Sequence, residues 1–243
     1  MILPYKDEFE KNKYTIIRDF FSQKDTKRMA DRMDFLFSRG MLVQDPQCPK
    51  SYSMYGDPIQ SEMQEMYRYK LGELIGIDLF PTYTYSRIYA PKEVLAYHSD
   101  RPSCEISITG TLMYDTFDNE PWDIWMGADE SNKNAQECEI WDEHEKKIVN
   151  AYGIPYKLYP GDIVVYRGCE VKHWRTQFIG IKQSQVFIHY VNANGPYKDY
   201  KYDCRPSLGS SVGMKDECKL KELNSVYDNG VKSNEDKTIK IIR

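Results

Sequence analysis

Thr82-Tyr83-Thr84-Tyr85-Ser86-Arg87-Ile88-Tyr89, then Pro91, then Val94-Leu95-Ala96-Tyr97-His98-Ser99-Asp100 is the stretch that decides the architecture. The first run is β-branched and aromatic, the composition of a strand. Pro91 marks a turn, and Val94 to His98 starts a second strand that runs into a His-x-Asp triplet. In an extended chain residues i and i+2 share a face, so His98 and Asp100 present an imidazole and a carboxylate side by side.

Towards the C-terminus the strand signals continue. Ile106 to Tyr114 alternates with period two, Tyr156–Tyr159 and Ile163–Tyr166 flank the turn Pro160-Gly161-Asp162, and Gln185 to Val191 closes the series. Short strands with frequent turns predict a sandwich or barrel, a mainly β (α+β) class, and not βαβ units. Towards the N-terminus, residues 1–80 read as a helical support. A short strand from Tyr14 ends in a turn at Phe21, and Ser22 or Asp25 caps a helix through Met29, Met33, Leu36 and Phe37, with Gly40 as its stop. A second helix is predicted over Glu62–Ile75, with Met63, Met66, Tyr67 and Leu71 at helical spacing. Residues 115–147 hold 11 Asp/Glu against 3 Lys/Arg and three tryptophans, and read as a long loop serving as a mobile lid. The expected organisation is one folded unit: support 1–80, core 81–195 with the acidic insertion 115–147, and a polar extension 196–243 that wraps the surface or frays.

The 243 residues, 41% hydrophobic and 29% charged, are those of an ordinary globular domain. No apolar run approaches the ~20 residues of a membrane helix, and MILPYKDEFEKNKY lacks the apolar stretch of a signal peptide. A cytoplasmic protein without membrane contact is expected. The net charge of -4 disfavours nucleic acid as a partner, because phosphate contacts dominate such binding. The six cysteines contain no C-x-x-C pair, which argues against structural zinc and for free thiols.

Four histidines are available, at 98, 144, 173 and 189. His-x-Asp alone is a common triplet, and a lone histidine such as His173 is usually a packed or surface residue. Their order along the chain carries more. His173 lies 75 positions after His98, beyond the Gly161-Asp162 turn and the strand Ile163–Tyr166, and is the natural third ligand. Two histidines and one carboxylate leave three cis positions open on an octahedral ion, which suits Fe(II) that must take both a cosubstrate and O2.

With His98-x-Asp100, a Gly-Asp turn and a distal His173, residues 82–192 resemble the 2-oxoglutarate/Fe(II) oxygenases, most of all their prolyl-hydroxylase-like branch. The resemblance implies a double-stranded β-helix (jelly roll) braced by N-terminal helices. It implies Fe(II) and 2-oxoglutarate as cofactors, O2 as cosubstrate and ascorbate as an optional reductant. Oxidative decarboxylation to succinate and CO2 then drives attack on a substrate C–H bond. Because halogenases of the family lack the carboxylate ligand, Asp100 points to hydroxylation. The family places a cation for the distal carboxylate about ten residues beyond the second histidine. Lys182 stands nine past His173, and Lys182-Gln183-Ser184 resembles the Arg-x-Ser pair of some members, with Arg175 and Arg101 as competitors. Tyr89 resembles the tyrosine that lines the cosubstrate pocket, and Arg87 shares its face.

The remaining candidates are weaker. Trp174 is expected to pack the ligand strand, His144 to be exposed, and His189 to lie on the opposite strand face from Lys182. Gly209-Ser210-Ser211-Val212-Gly213 matches G-x-S-x-G but follows no buried strand, so it is set aside as a nucleophile. Two rivals stand beside the oxygenase: a cupin-like metal protein without 2-oxoglutarate chemistry, and a non-catalytic binding module. The substrate, a small molecule or a peptide, and the oligomeric state are not encoded in these motifs.

Overall fold

The computed structural model describes residues 4–209. In chain order these form α1 (Pro4–Asn12), β1 (Tyr14–Ile17), α2 (Gln23–Ser38), β2 (Val43–Gln44), β3 (Tyr52–Tyr55), α3 (Pro58–Ile75), β4 (Leu79–Tyr89) and β5 (Leu95–His98). There follow β6 (Ile106–Thr116), β7 (Ile124–Gly127), β8 (Gln136–Asp142), β9 (Lys147–Tyr156), β10 (Ile163–Arg167), β11 (His173–Arg175) and β12 (Gly180–Asn192). The large sheet runs β1-β10-β6-β12-β4-β3-β2, antiparallel throughout. The small sheet joins β5, β11, β7, β9 and β8, and one parallel pair, Tyr97 with Asp142, closes it on itself.

Period-two alternation sorts the large sheet into two faces. Ile88, Ile106, Ile108, Ile163, Val165, Val186 and Ile188 face the helices and share one core cluster with Met29, Met33 and Leu36 of α2 and Met63, Leu71 and Ile75 of α3. The other face carries Tyr83, Tyr85, Arg87, Tyr166, Phe187 and His189 towards the small sheet. Two apolar clusters seal that interior, one around Ile124, Met126, Val164 and Val171, the other around Leu95, Trp122, Phe178 and Cys48. A polar space is left between them.

The helix boundaries follow their caps. Ser22 caps α2 by accepting from the Asp25 N–H, and Gly40 takes a left-handed φ of 64° just past its end. α3 begins at Pro58, ahead of the predicted Glu62, because Asp57 accepts from the Ile59 and Gln60 N–H groups and proline fits the first turn. Met66, placed on its apolar face by spacing, is exposed.

Three readings are corrected. The 115–147 segment is not a loop throughout: it contains β7 and β8, and β8 pairs with β9 from Gln136↔Gly153 to Asp142↔Lys147. Only Tyr156 of Tyr156–Tyr159 is in a strand. Cys204 is disulfide-bonded, so the cysteines are not all free thiols; Cys48, Cys104, Cys138 and Cys169 are. Residues 210–243, with Cys218 and most of the G-x-S-x-G match, lie outside the described residues. Among the described residues no helix is long and apolar enough to cross a membrane.

Candidate metal centre

β5 and β11 are antiparallel neighbours, and His98 and His173 are cross-strand partners. This register brings the two rings to 4.3 Å between centroids. Each imidazole is oriented in the same way. His98 Nδ1 lies 2.7 Å from the carbonyl of Ala96, and His173 Nδ1 lies 3.1 Å from that of Val171. A carbonyl can only accept, so both Nδ1 atoms carry the proton and both Nε2 atoms present lone pairs. The two Nε2 atoms converge on Asp100 Oδ1, at 3.9 Å from His98 and 3.7 Å from His173. The three donor atoms lie within 4.8 Å of one another, the spacing of ligands around one ion.

Asp100 is held from behind. Its N–H donates to the Gly168 carbonyl at 2.8 Å, and the Ser107 hydroxyl donates to Oδ2 at 2.9 Å. Gly168 is required by close approach, since a Cβ there would stand 2.2 Å from the Cys104 carbonyl oxygen and 2.5 Å from Asp100 Oδ2. Oδ1 is thereby left to face the histidines. Burial pushes both histidines down, His98 to about 3 with His173 adding repulsion, and His173 to about 4. Both are neutral and ligand-competent at neutral pH. Burial raises the Asp100 carboxyl against the opposing pull of His98 and Ser107, the situation a bound cation would reverse.

The centre opens into a cavity of about 210 Å³. Tyr83, Tyr85, Arg87 and Phe187 line it on the large sheet, Asp45 to Gln47 form its lip, and Tyr166 and His189 complete the metal side. Arg87 is fully engaged: Nε donates to Asp45 Oδ2 at 2.8 Å, Nη2 to Gln47 Oε1 at 2.9 Å and Nη1 to the Tyr89 hydroxyl at 2.7 Å. Burial raises Asp45, but the Arg87 charge and the Tyr85 hydroxyl outweigh it and hold the carboxyl below its ordinary range.

The other predicted residues fall out differently. Lys182 does not enter the cavity: it lies on the helix face of β12 and pairs with Asp34 of α2 at 3.0 Å. Ser184, two residues on, shares that face. Both assignments to the cosubstrate are corrected by strand parity, because the inward residues of β12 are Gln183, Gln185, Phe187 and His189. Arg101 pairs with both Asp203 oxygens at 2.9 Å. Arg175 is fully buried, with Nη1 donating to the Trp122 carbonyl at 2.6 Å and with Nε and Nη2 lacking a hydrogen-bond partner among the described residues. Trp174 packs on Tyr97 and Trp125, as expected, and His144 is exposed.

His189, discounted in the sequence, is inside, its Nδ1 2.9 Å from the Ser107 hydroxyl that supports Asp100. Its position was legible as odd parity with Phe187. Ser107, Tyr166 and Gly168 carried no motif. A second grouping, Asp100 with Cys104 and His189, has its other donors engaged: Cys104 Sγ is 3.0 Å from the Tyr83 hydroxyl.

A buried guanidinium edge without an acceptor, beside two imidazole lone pairs and a carboxylate, fits a metal and an anionic chelator. No family model matches the chain, and no curated protein matches its sequence. Solved structures do. A Pseudomonas putida prolyl-4-hydroxylase superposes with a TM-score of 0.56 at 13% identity, over 79% of this chain and 99% of that one. HygX from Streptomyces hygroscopicus, solved with nickel, 2-oxoglutarate and hygromycin B bound, gives 0.58 at 12% identity, over 80% and 88%. The epimerase SnoN, solved with Fe3+, alpha ketoglutarate and nogalamycin RO, gives 0.60 at 10% identity, over 87% and 92%. The chain thus has the double-stranded β-helix fold of the prolyl hydroxylases and other 2-oxoglutarate/Fe(II) oxygenases.

Proposed function

We propose that the protein is a non-haem Fe(II) oxygenase that couples oxidative decarboxylation of 2-oxoglutarate to hydroxylation of a substrate. The observation that carries this reading is the convergence of His98 Nε2 and His173 Nε2 on Asp100 Oδ1. Both rings are set in the ligating tautomer by backbone carbonyls. His98, Asp100 and His173 would hold the metal. Bound there, iron with 2-oxoglutarate and O2 supplies the oxidising chemistry.

The chain's own part is positioning. The paired strands β5 and β11 fix the ligand rings, and Ser107 and Gly168 aim the carboxylate. Burial keeps the Tyr166 phenol far from ionisation, so its hydroxyl remains a donor on the metal side, 3.4 Å from His173 Nε2. Tyr83, Tyr85 and Phe187 wall the cavity with aromatic surface that excludes water and receives the substrate.

The test is succinate release from 2-oxoglutarate by the purified full chain under air. Release that requires Fe(II) and is lost in His98→Ala, Asp100→Ala and His173→Ala supports the reading. A metal-loaded protein that turns over no 2-oxoglutarate with any substrate tried argues for the cupin-like alternative.

A further inference from the structure

Arg175 is two residues beyond His173 on β11, the i+2 position of the same strand, although the pairing with β5 shifts register between them. The strand rise puts it roughly 7 Å further along, about the reach of a five-carbon dicarboxylate whose other end lies at the metal. Its cross-strand partner is Leu95, which lines the cavity, whereas Arg175 itself is fully buried and not part of the lining.

The guanidinium is oriented and incomplete. Nη1 is fixed by the Trp122 carbonyl, and the plane covers the Trp122 ring with its carbon 5.1 Å from the centroid. The two nitrogens without partners, Nε and Nη2, form one edge of the group, the edge that takes a carboxylate through two parallel N–H···O bonds. The ionisable groups around it leave it unbalanced. The charge of Arg87 is matched by Asp45, Tyr89 and Tyr166 are phenols, and Asp123 acts on Arg175 through space without an ion pair. Tyr89 adds a donor: its oxygen accepts from Arg87, so its own proton is directed elsewhere. Next to Lys182, which the family resemblance marked as the cation, the inward position of β12 holds Gln183. Its side chain is spent on the Trp122 backbone, Oε1 accepting from the N–H at 2.8 Å.

We propose that Arg175 grips the far carboxylate of 2-oxoglutarate side-on, with Tyr89 as an additional donor, so that the cosubstrate cation comes from the distal-histidine strand and not from β12. Arg175 is then a binding residue that selects a dicarboxylic keto acid. This rests on the oxygenase reading. A monocarboxylic keto acid of the same length lacks the group that Arg175 recognises.

The experiment is calorimetric titration of the Ni(II)-loaded full chain with 2-oxoglutarate and with 2-oxopentanoate, which has the same keto-acid end and no far carboxylate. Wild type should prefer 2-oxoglutarate by about a hundredfold or more, the loss typical of an unpaired buried charge. In Arg175→Met the preference should collapse to a few-fold, with 2-oxopentanoate and Ni(II) affinities unchanged. Arg175→Lys, which keeps the charge without the two-nitrogen edge, should retain part of the preference. Should the methionine variant not fold, a lysine variant with the wild-type preference would overturn the assignment, as would a folded Arg175→Met that still prefers the dicarboxylate. A wild type that binds neither keto acid defeats the oxygenase reading itself, and this proposal with it.

Discussion

Arg87, on the large sheet, and Arg175, on the small one, are both buried, yet their surroundings differ. Around Arg87 each guanidinium nitrogen donates to a protein acceptor, Nε to Asp45, Nη2 to Gln47 and Nη1 to the Tyr89 hydroxyl. Asp45 is in turn tied to Tyr85 and to the backbone N–H groups of Gln47 and Cys48. Around Arg175 and the triad, the polar atoms point inward with no full complement of partners. A closed network of this kind stabilises the native state. An open one is tolerated because a ligand completes it. On the proposed function, the first region is scaffold and the second is where the metal and the keto acid would bind.

Breaking the closed region should cost most. Arg87→Met strands the Asp45 carboxylate in the interior and should destabilise the protein by about 3–5 kcal/mol. Urea unfolding measures this, and a loss below about 1 kcal/mol would mean that the network is not closed in solution. The open region should respond to protons instead. The folded-state values of His98 and His189, about 3, and His173, about 4, lie below the ordinary value of 6.5. As pH falls through 6.5 the unfolded chain gains protons that the folded chain does not, so stability drops. The loss is about 1.4 kcal/mol per histidine between pH 7.5 and pH 5.5. Asp100, with its carboxyl raised by burial, runs the other way at lower pH. Metal-free protein unfolded at pH 7.5 and at 5.5 shows the slope, and His189→Gln should remove one histidine's share.

Arg175→Met should separate the two arginines most cleanly. With no ligand present it removes an uncompensated buried cation, so stability should change by less than about 1 kcal/mol or rise. A loss as large as that of Arg87→Met would make Arg175 scaffold too. The smallest effect belongs to Lys182→Ala, which deletes a half-exposed pair with Asp34 and should cost at most about 1 kcal/mol. It should leave 2-oxoglutarate affinity untouched.

The same parity rule explains what was legible. His98 and Asp100 could be paired from the chain because i and i+2 share a face whichever way the strand turns. Parity alone does not say which face looks inward, and there Lys182 and Gln183 were exchanged. The answer was present in Val186 and Ile188, whose even positions pack under the helices and carry Lys182 with them. The β8–β9 hairpin was hidden for another reason. The inward face of β8 is Cys138, Ile140 and Asp142, the first two packing with Ala151 and Trp174, and holds only one large aliphatic residue. Glu137, Glu139 and the apolar Trp141 face solvent, so no apolar alternation stands out. Ser107, seven residues on in β6, and Gly168, in the turn after β10, support Asp100 through contacts that no sequence motif announces.

The central claim is that one divalent ion sits among His98, Asp100 and His173. Anaerobic calorimetry of the metal-free full chain with Fe(II) tests it directly. One site per chain in wild type, abolished in Asp100→Ala and in His173→Ala with their folds intact by circular dichroism, is the predicted result. Equal Fe(II) affinity in wild type and both variants would contradict it.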